Sequence, residues 1–102
     1  MPILAVSFST VPLAKEDLAF VVDASGTAEQ VFEAVRDGAG SLLEELRLFD
    51  VYVGDQVGAG KKSLAFSLRL RAADRTLTAQ DAIDVREGAI AEASKRVGAV
   101  LR

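Results

Sequence analysis

The sequence predicts an α+β sandwich, in which a four-stranded antiparallel sheet carries two helices on one face in the order β-α-β-β-α-β. Three observations predict it. Stretches with apolar residues at every second position alternate with stretches whose apolar residues recur every three or four. Glycines and hydroxyl residues stand at the junctions, where turns and helix caps need them. The chain has 102 residues, half of them apolar, enough for one small core and too few for two.

In residues 17–23, DLAFVVD, Leu18, Phe20 and Val22 share one face, as in a strand. Gly26 breaks that pattern. Thr27 then caps a helix, with Gln30 three residues on completing a capping box, and Ala28, Val31, Phe32 and Val35 fall on the face that meets the sheet. Residues 37–40, DGAG, end that helix. A second strand covers residues 43–53 and a third covers 62–72. In the third, Leu64, Phe66, Leu68 and Leu70 point to the helices, which leaves Ser63, Ala65, Ser67, Arg69 and Arg71 on the open face. The second strand carries two phases, Leu46 with Leu48 and Phe49 with Val51 and Val53. It either bulges near Phe49 or is covered on both faces. Thr78 caps a second helix, whose small apolar face is Ala82, Val85, Ala89 and Ala93. Gly98 stops it, leaving residues 99–102 as a short last strand. This order is the split β-α-β, or ferredoxin-like, sandwich. It spans residues 7–102 as one domain, with 1–6 as an N-terminal lead-in or a cloning boundary.

Several function classes are excluded. Residues 51–63, VYVGDQVGAGKKS, invite comparison with a phosphate-binding loop. With Gly60-Lys61 as the Gly-Lys pair of that motif, the first glycine should stand at Asp55 and the magnesium-binding hydroxyl at Lys62. The dinucleotide fingerprint fails at Ser63. Both motifs also open a helix, and the alternation after Ser63 is that of a strand. The loop is a strand-to-strand connection, and no ATP is expected there. Absence of cysteine and histidine removes thiolate ligands, disulfides, the usual general base and the commonest metal ligand. No catalytic residue, metal set or cofactor is expected. An acylphosphatase-like phosphate cradle would need an arginine after the first strand, and residues 23–27, DASGT, have none. No apolar run approaches the roughly 18 residues of a membrane span, and no leader peptide is recognisable. The cytoplasm is the expected compartment.

The net charge of −3 is unevenly spread. Residues 61–75 hold Lys61, Lys62, Arg69, Arg71 and Arg75 against Asp74 alone, a local +4 on a body of −7. Such a stripe steers a polyanion, or it protects a strand edge from aggregation. An open sheet face of this topology is a platform for single-stranded RNA.

One block of residues is more specific. Phe49-Asp50-Val51-Tyr52, the stretch GKKSLAF at 60–66 and DRTLT at 74–78 resemble the C-terminal ferredoxin-fold anticodon-binding domain of the bacterial phenylalanyl-tRNA synthetase beta subunit. The likeness extends to the first strand and to the final GAVLR, and so covers nearly the whole chain from about Ser7. Where many members have Arg-Asp before the first strand, this chain has Glu16-Asp17. The resemblance implies a non-catalytic arm of a larger ligase, which reads the anticodon stem-loop of phenylalanine tRNA. It implies ATP and magnesium only in the parent enzyme. The implied partners are that tRNA, the rest of the beta subunit and the alpha subunit, with no membrane and no DNA.

Candidate RNA-binding residues are then Tyr52, which stacks on a base or packs at the rim, and Lys61, Lys62, Arg69 and Arg71, which face phosphates. Ser63 and Ser67 lie on the same face. Phe49 has the same two alternatives as Tyr52 and leans to the core. Phe8, beside Ser7, either leads onto the surface or tethers the N-terminus. Asp50 and Arg75 are placed to form a structural ion pair that fixes Thr76 and Thr78. The competing function is a ferredoxin-like regulatory or assembly domain, binding a small metabolite or a protein partner. The cation cluster discriminates against it.

Overall fold

A computed structural model describes residues 14–72 and 76–102, apart from the side chains of Ala14 and Asp55. The elements are β1 (Ala14–Asp23), α1 (Ala28–Ala39), a 3-10 turn (Gly40–Leu42), β2 (Leu43–Tyr52), a second 3-10 turn (Asp55–Val57), β3 (Lys61–Leu70), α2 (Ala79–Val97) and β4 (Val100–Leu101). The strands form one antiparallel sheet in the order β2-β3-β1-β4, so the ferredoxin-like order read from the sequence is the observed one. β1 begins three residues earlier than its alternation suggested.

The core lies between one sheet face and the helices. Leu18, Phe20 and Val22 of β1 and Leu64, Phe66, Leu68 and Leu70 of β3 are buried there against Val31, Ala34 and Val35 of α1 and Val85, Ala89 and Ala93 of α2. Phe66 sits at the centre, edge-on to Phe20 at 6.3 Å and tilted against Phe32 at 6.2 Å. Both helices start on threonine caps. The Thr27 hydroxyl accepts from Gln30 N at 3.2 Å. Thr78 forms both arms of a capping box with Asp81. α2 stops on left-handed Gly98.

Two departures matter. α1 runs on through Gly38 to Ala39, because Gly38 and Gly88 let the helices cross in backbone contact: a Cβ at Gly38 would fall 2.3 Å from the Gly88 carbonyl oxygen. In β2 the register slips between Leu43 and Glu45 and again between Leu48 and Asp50. The ambiguity at Phe49 is thus resolved as a β-bulge, and the expectation of a core phenylalanine is corrected. Phe49 is 48% exposed, because with Leu46 and Leu48 turned inward it shares the outward parity of Arg47, and the register shift turns Asp50 outward beside it.

Candidate nucleic-acid interface

The helices cover one sheet face, and among the described residues no element packs on the other, the bare face. The register puts Asp17 opposite Ser67, Ala19 opposite Ala65, and Val21 opposite Ser63, so the centre of the bare face is a floor of mostly small side chains. Larger groups stand at its two ends.

At one end is Tyr52, across from Ser63. The ring is partly exposed, its hydroxyl end lies over Gly54, and the Arg102 guanidinium carbon stands 5.4 Å from the ring centroid. Arg102 is brought there by β4, where its own N–H donates to the Ala19 carbonyl at 2.8 Å, and its Nη1 donates to Ser63 Oγ at 3.3 Å. Ser63 is only 3% exposed, beneath these groups rather than beside them. Sequence reasoning passed over Arg102, since nothing local marks it. The strand order is what carries the last strand to β1 and its final side chain toward Tyr52.

At the other end a shallow depression of about 580 Å³ is lined by Lys15, Asp17, Arg47, Phe49, Ser67 and Arg69, together with Glu45. Lys15 and Arg47 were not among the sequence candidates, and Phe49 was weighed as one but assigned to the core. Lys15 and Arg47 follow from strand parity, and so does Phe49 once the Leu46–Leu48 phase is the inward one.

The cationic stripe of the sequence is not one surface. Lys62 pairs in register with buried Val22, on the helix side, and its ammonium donates to the Gly26 carbonyl at 2.6 Å. Lys61 is bonded to Asp23 at 2.6 Å, Arg69 to Glu45 at 3.1 Å and Arg71 to Glu44 at 2.8 Å. All three pairs are exposed, where solvent screening leaves such pairs with little effect on stability. They lower the field available to an incoming phosphate. The Lys61 hydrogen bond, and then its charge, hold the Asp23 carboxyl below its usual range. On the bare face among the described residues, Lys15 and Arg47 make no ion pair.

The remaining candidates separate. Asp50 is exposed and opposite Ala65, Thr76 is exposed, and Thr78 serves as the cap of α2. Arg75 and Phe8 lie outside the described residues, and with Arg75 so does the Asp50–Arg75 pair. The glycine-rich connection is a hairpin link: Val57 N donates to Gly54 O, Lys61 N donates to Gly58 O, and β3 follows directly. Among the described residues no group of three or more acidic side chains is placed to hold a metal ion. No described helix is long and apolar enough to cross a membrane.

Residues 9–102 match the family model described as the ferredoxin-fold anticodon binding domain. The chain is 58% identical over 98 residues to the phenylalanine–tRNA ligase beta subunit of Thermobifida fusca, covering 96% of this chain and 12% of that protein. It is 56% identical over 96 residues to that of Cutibacterium acnes (94% and 11%), and 56% identical over 94 residues to that of Streptomyces avermitilis (92% and 11%). The chain therefore spans about an eighth of the length of these curated relatives.

Proposed function

The chain belongs to the ferredoxin-fold anticodon-binding family, and on that premise we propose that it is a tRNA-binding domain of a phenylalanine–tRNA ligase beta subunit, docking the anticodon stem-loop of phenylalanine tRNA on its bare sheet face. The observation that carries this reading is the partly exposed Tyr52 ring on an uncovered sheet, with Arg102 over it and small residues around it. A flat ring beside a guanidinium accepts the π-face of an unstacked base, and small neighbours leave room for the base and its ribose. The opposite surface suits RNA poorly. The two helices carry seven carboxylates against four basic residues, so a phosphate backbone is repelled there.

Pairing of Lys61, Arg69 and Arg71 with carboxylates changes the expected mechanism from a phosphate clamp to stacking with modest electrostatic help. Binding by this domain alone is weak, because the parent enzyme holds tRNA at several places and this arm contributes one of them. The phenylalanine, ATP and magnesium chemistry belongs to other parts of that enzyme. The rest of the beta subunit and the alpha subunit are the protein partners, and the cytoplasm is the compartment.

The test is a fluorescence anisotropy titration with an anticodon stem-loop of phenylalanine tRNA at low salt. Wild type binds, and Tyr52→Leu loses roughly 1–3 kcal/mol with little change in salt dependence. Equal binding by the two proteins would remove Tyr52 from the interface, and no binding by either would end the RNA reading.

A further inference from the structure

Phe49 has no role in the core and none in the Tyr52 site. The ring is half-exposed and stands where the register of β2 on β3 shifts, between Leu48 and Asp50, and bulges are over-represented next to functional sites. It lines the depression at the far end of the bare face from Tyr52. Around the ring stand two cations that make no ion pair among the described residues, Lys15 and Arg47, and one similarly unpaired carboxylate, Asp17, which sits in register with Ser67. The fourth charged contributor, Arg69, is neutralised by Glu45.

This set has a definite chemistry. A flat apolar ring offers stacking to a planar heterocycle. Two free cations beside it suit a single phosphate better than a long backbone. A lone carboxylate with a serine hydroxyl accepts hydrogen bonds from an amino group or ring N–H. A nucleotide combines all three parts, and a simple apolar ligand or an acidic peptide does not. The site also shares a continuous sheet face with Tyr52, across the small residues Ala19 and Ala65.

We infer that the Phe49 depression is a second nucleotide subsite, which stacks one base of the same RNA on Phe49, holds its phosphate with Arg47 and Lys15, and favours a base that presents an amino group to Asp17. This rests on the RNA-binding reading above and extends it from one stacked base to two. An amino-bearing base at that place gives Asp17 a donor, whereas uracil turns carbonyl oxygens toward much of the carboxylate's reach and leaves it partly unpaired.

The experiment uses the 102-residue chain, with circular dichroism as a check that each variant folds. The probe is a phenylalanine-tRNA anticodon stem-loop and a set of stem-loops in which one loop base at a time is replaced by uracil. Phe49→Leu keeps an apolar side chain and removes the ring, and it weakens stem-loop binding about 5- to 100-fold, as loss of one stacked base does. Arg47→Gln weakens all stem-loops alike and flattens the salt dependence by about one counterion. One uracil replacement weakens wild type by several-fold yet leaves Asp17→Asn unaffected, and that arm needs no change in the apolar surface. If wild type binds and Tyr52→Leu does not, while Phe49→Leu and Arg47→Gln bind as wild type, the second subsite is overturned and the first stands. If wild type itself does not bind, both are overturned.

Discussion

On β3, Leu64, Phe66, Leu68 and Leu70 are sealed beneath two helices, whereas Ala65, Ser67 and Arg69, one step along the same strand, face an uncovered surface. Because side chains alternate, one strand supplies both the centre of the core and the floor of the candidate interface. The two sets are coupled only through the backbone. Substitutions on the two faces should therefore separate into those that unfold the domain and those that leave it folded but unable to bind. Two phenylalanines make the sharpest contrast. Phe66→Ala opens a cavity among Phe20, Phe32 and the helices, and should cost about 3–5 kcal/mol in chemical denaturation. Phe49→Ala, on the bulge, should stay within about 0.5 kcal/mol of wild type. Equal costs would mean that Phe49 is a core residue after all.

The same contrast separates what the sequence made legible from what it did not. Face assignments on β1 and β3 were readable, because these two strands pair with each other without a slip over ten residues and the period of two survives intact. Helix caps were readable too, since Thr27 and Thr78 act on residues three positions away, although the full capping box closes at Thr78 and Asp81 and only its hydroxyl arm forms at Thr27 and Gln30. β2 was not. Its two bulges are properties of pairing with β3, and they decide that Glu45 meets Arg69 while Glu44 reaches Arg71. A stripe of cations counted along the sequence thus contains no hint of the carboxylates that neutralise it. Arg102 and Tyr52 stand fifty positions apart and meet through the strand order alone.

Two glycine contacts sharpen the comparison at smaller amplitude. A Cβ at Gly88 would fall 2.4 Å from the Gly38 carbonyl oxygen, inside the helix layer, where backbone must move to relieve it. Gly88→Ala should destabilise by about 1–2 kcal/mol, the cost of overpacking less the roughly 1 kcal/mol that alanine gains over glycine in a helix. A Cβ at Gly54 would fall 2.7 Å from the Tyr52 hydroxyl, the free end of a surface side chain that can swing away. Gly54→Ala should leave the thermal midpoint nearly unchanged and weaken stem-loop binding toward the level of Tyr52→Leu. A fall in stability with binding intact would reverse the assignment of the two contacts.

The smallest effect expected is electrostatic, and it also differs between the layers. On the helix side, the Asp37 carboxylate accepts from Arg96 at 2.8 Å and from Arg36 at 3.3 Å; on the sheet, the Asp23 carboxylate accepts from Lys61 at 2.6 Å. Both carboxyls are held below the usual 3.8, Asp37 by the Arg96 bond and then the Arg36 bond, Asp23 by the Lys61 bond and then its charge. A lowered folded-state value means that the unfolded chain takes up these protons first as pH falls. The stabilisation is therefore complete above about pH 4 and is lost as pH drops through the folded values. With no histidine in the chain, stability should be nearly flat between about pH 5 and 8. Exposure keeps the amplitude small and makes it shrink in high salt. Carboxyl titration by NMR reads the two sites separately. Lys61→Met should return Asp23 toward 3.8 and leave Asp37 where it was, and Arg96→Met should do the reverse. Were Asp23 to keep its low value without Lys61, the pair across β1 and β3 would not be its cause.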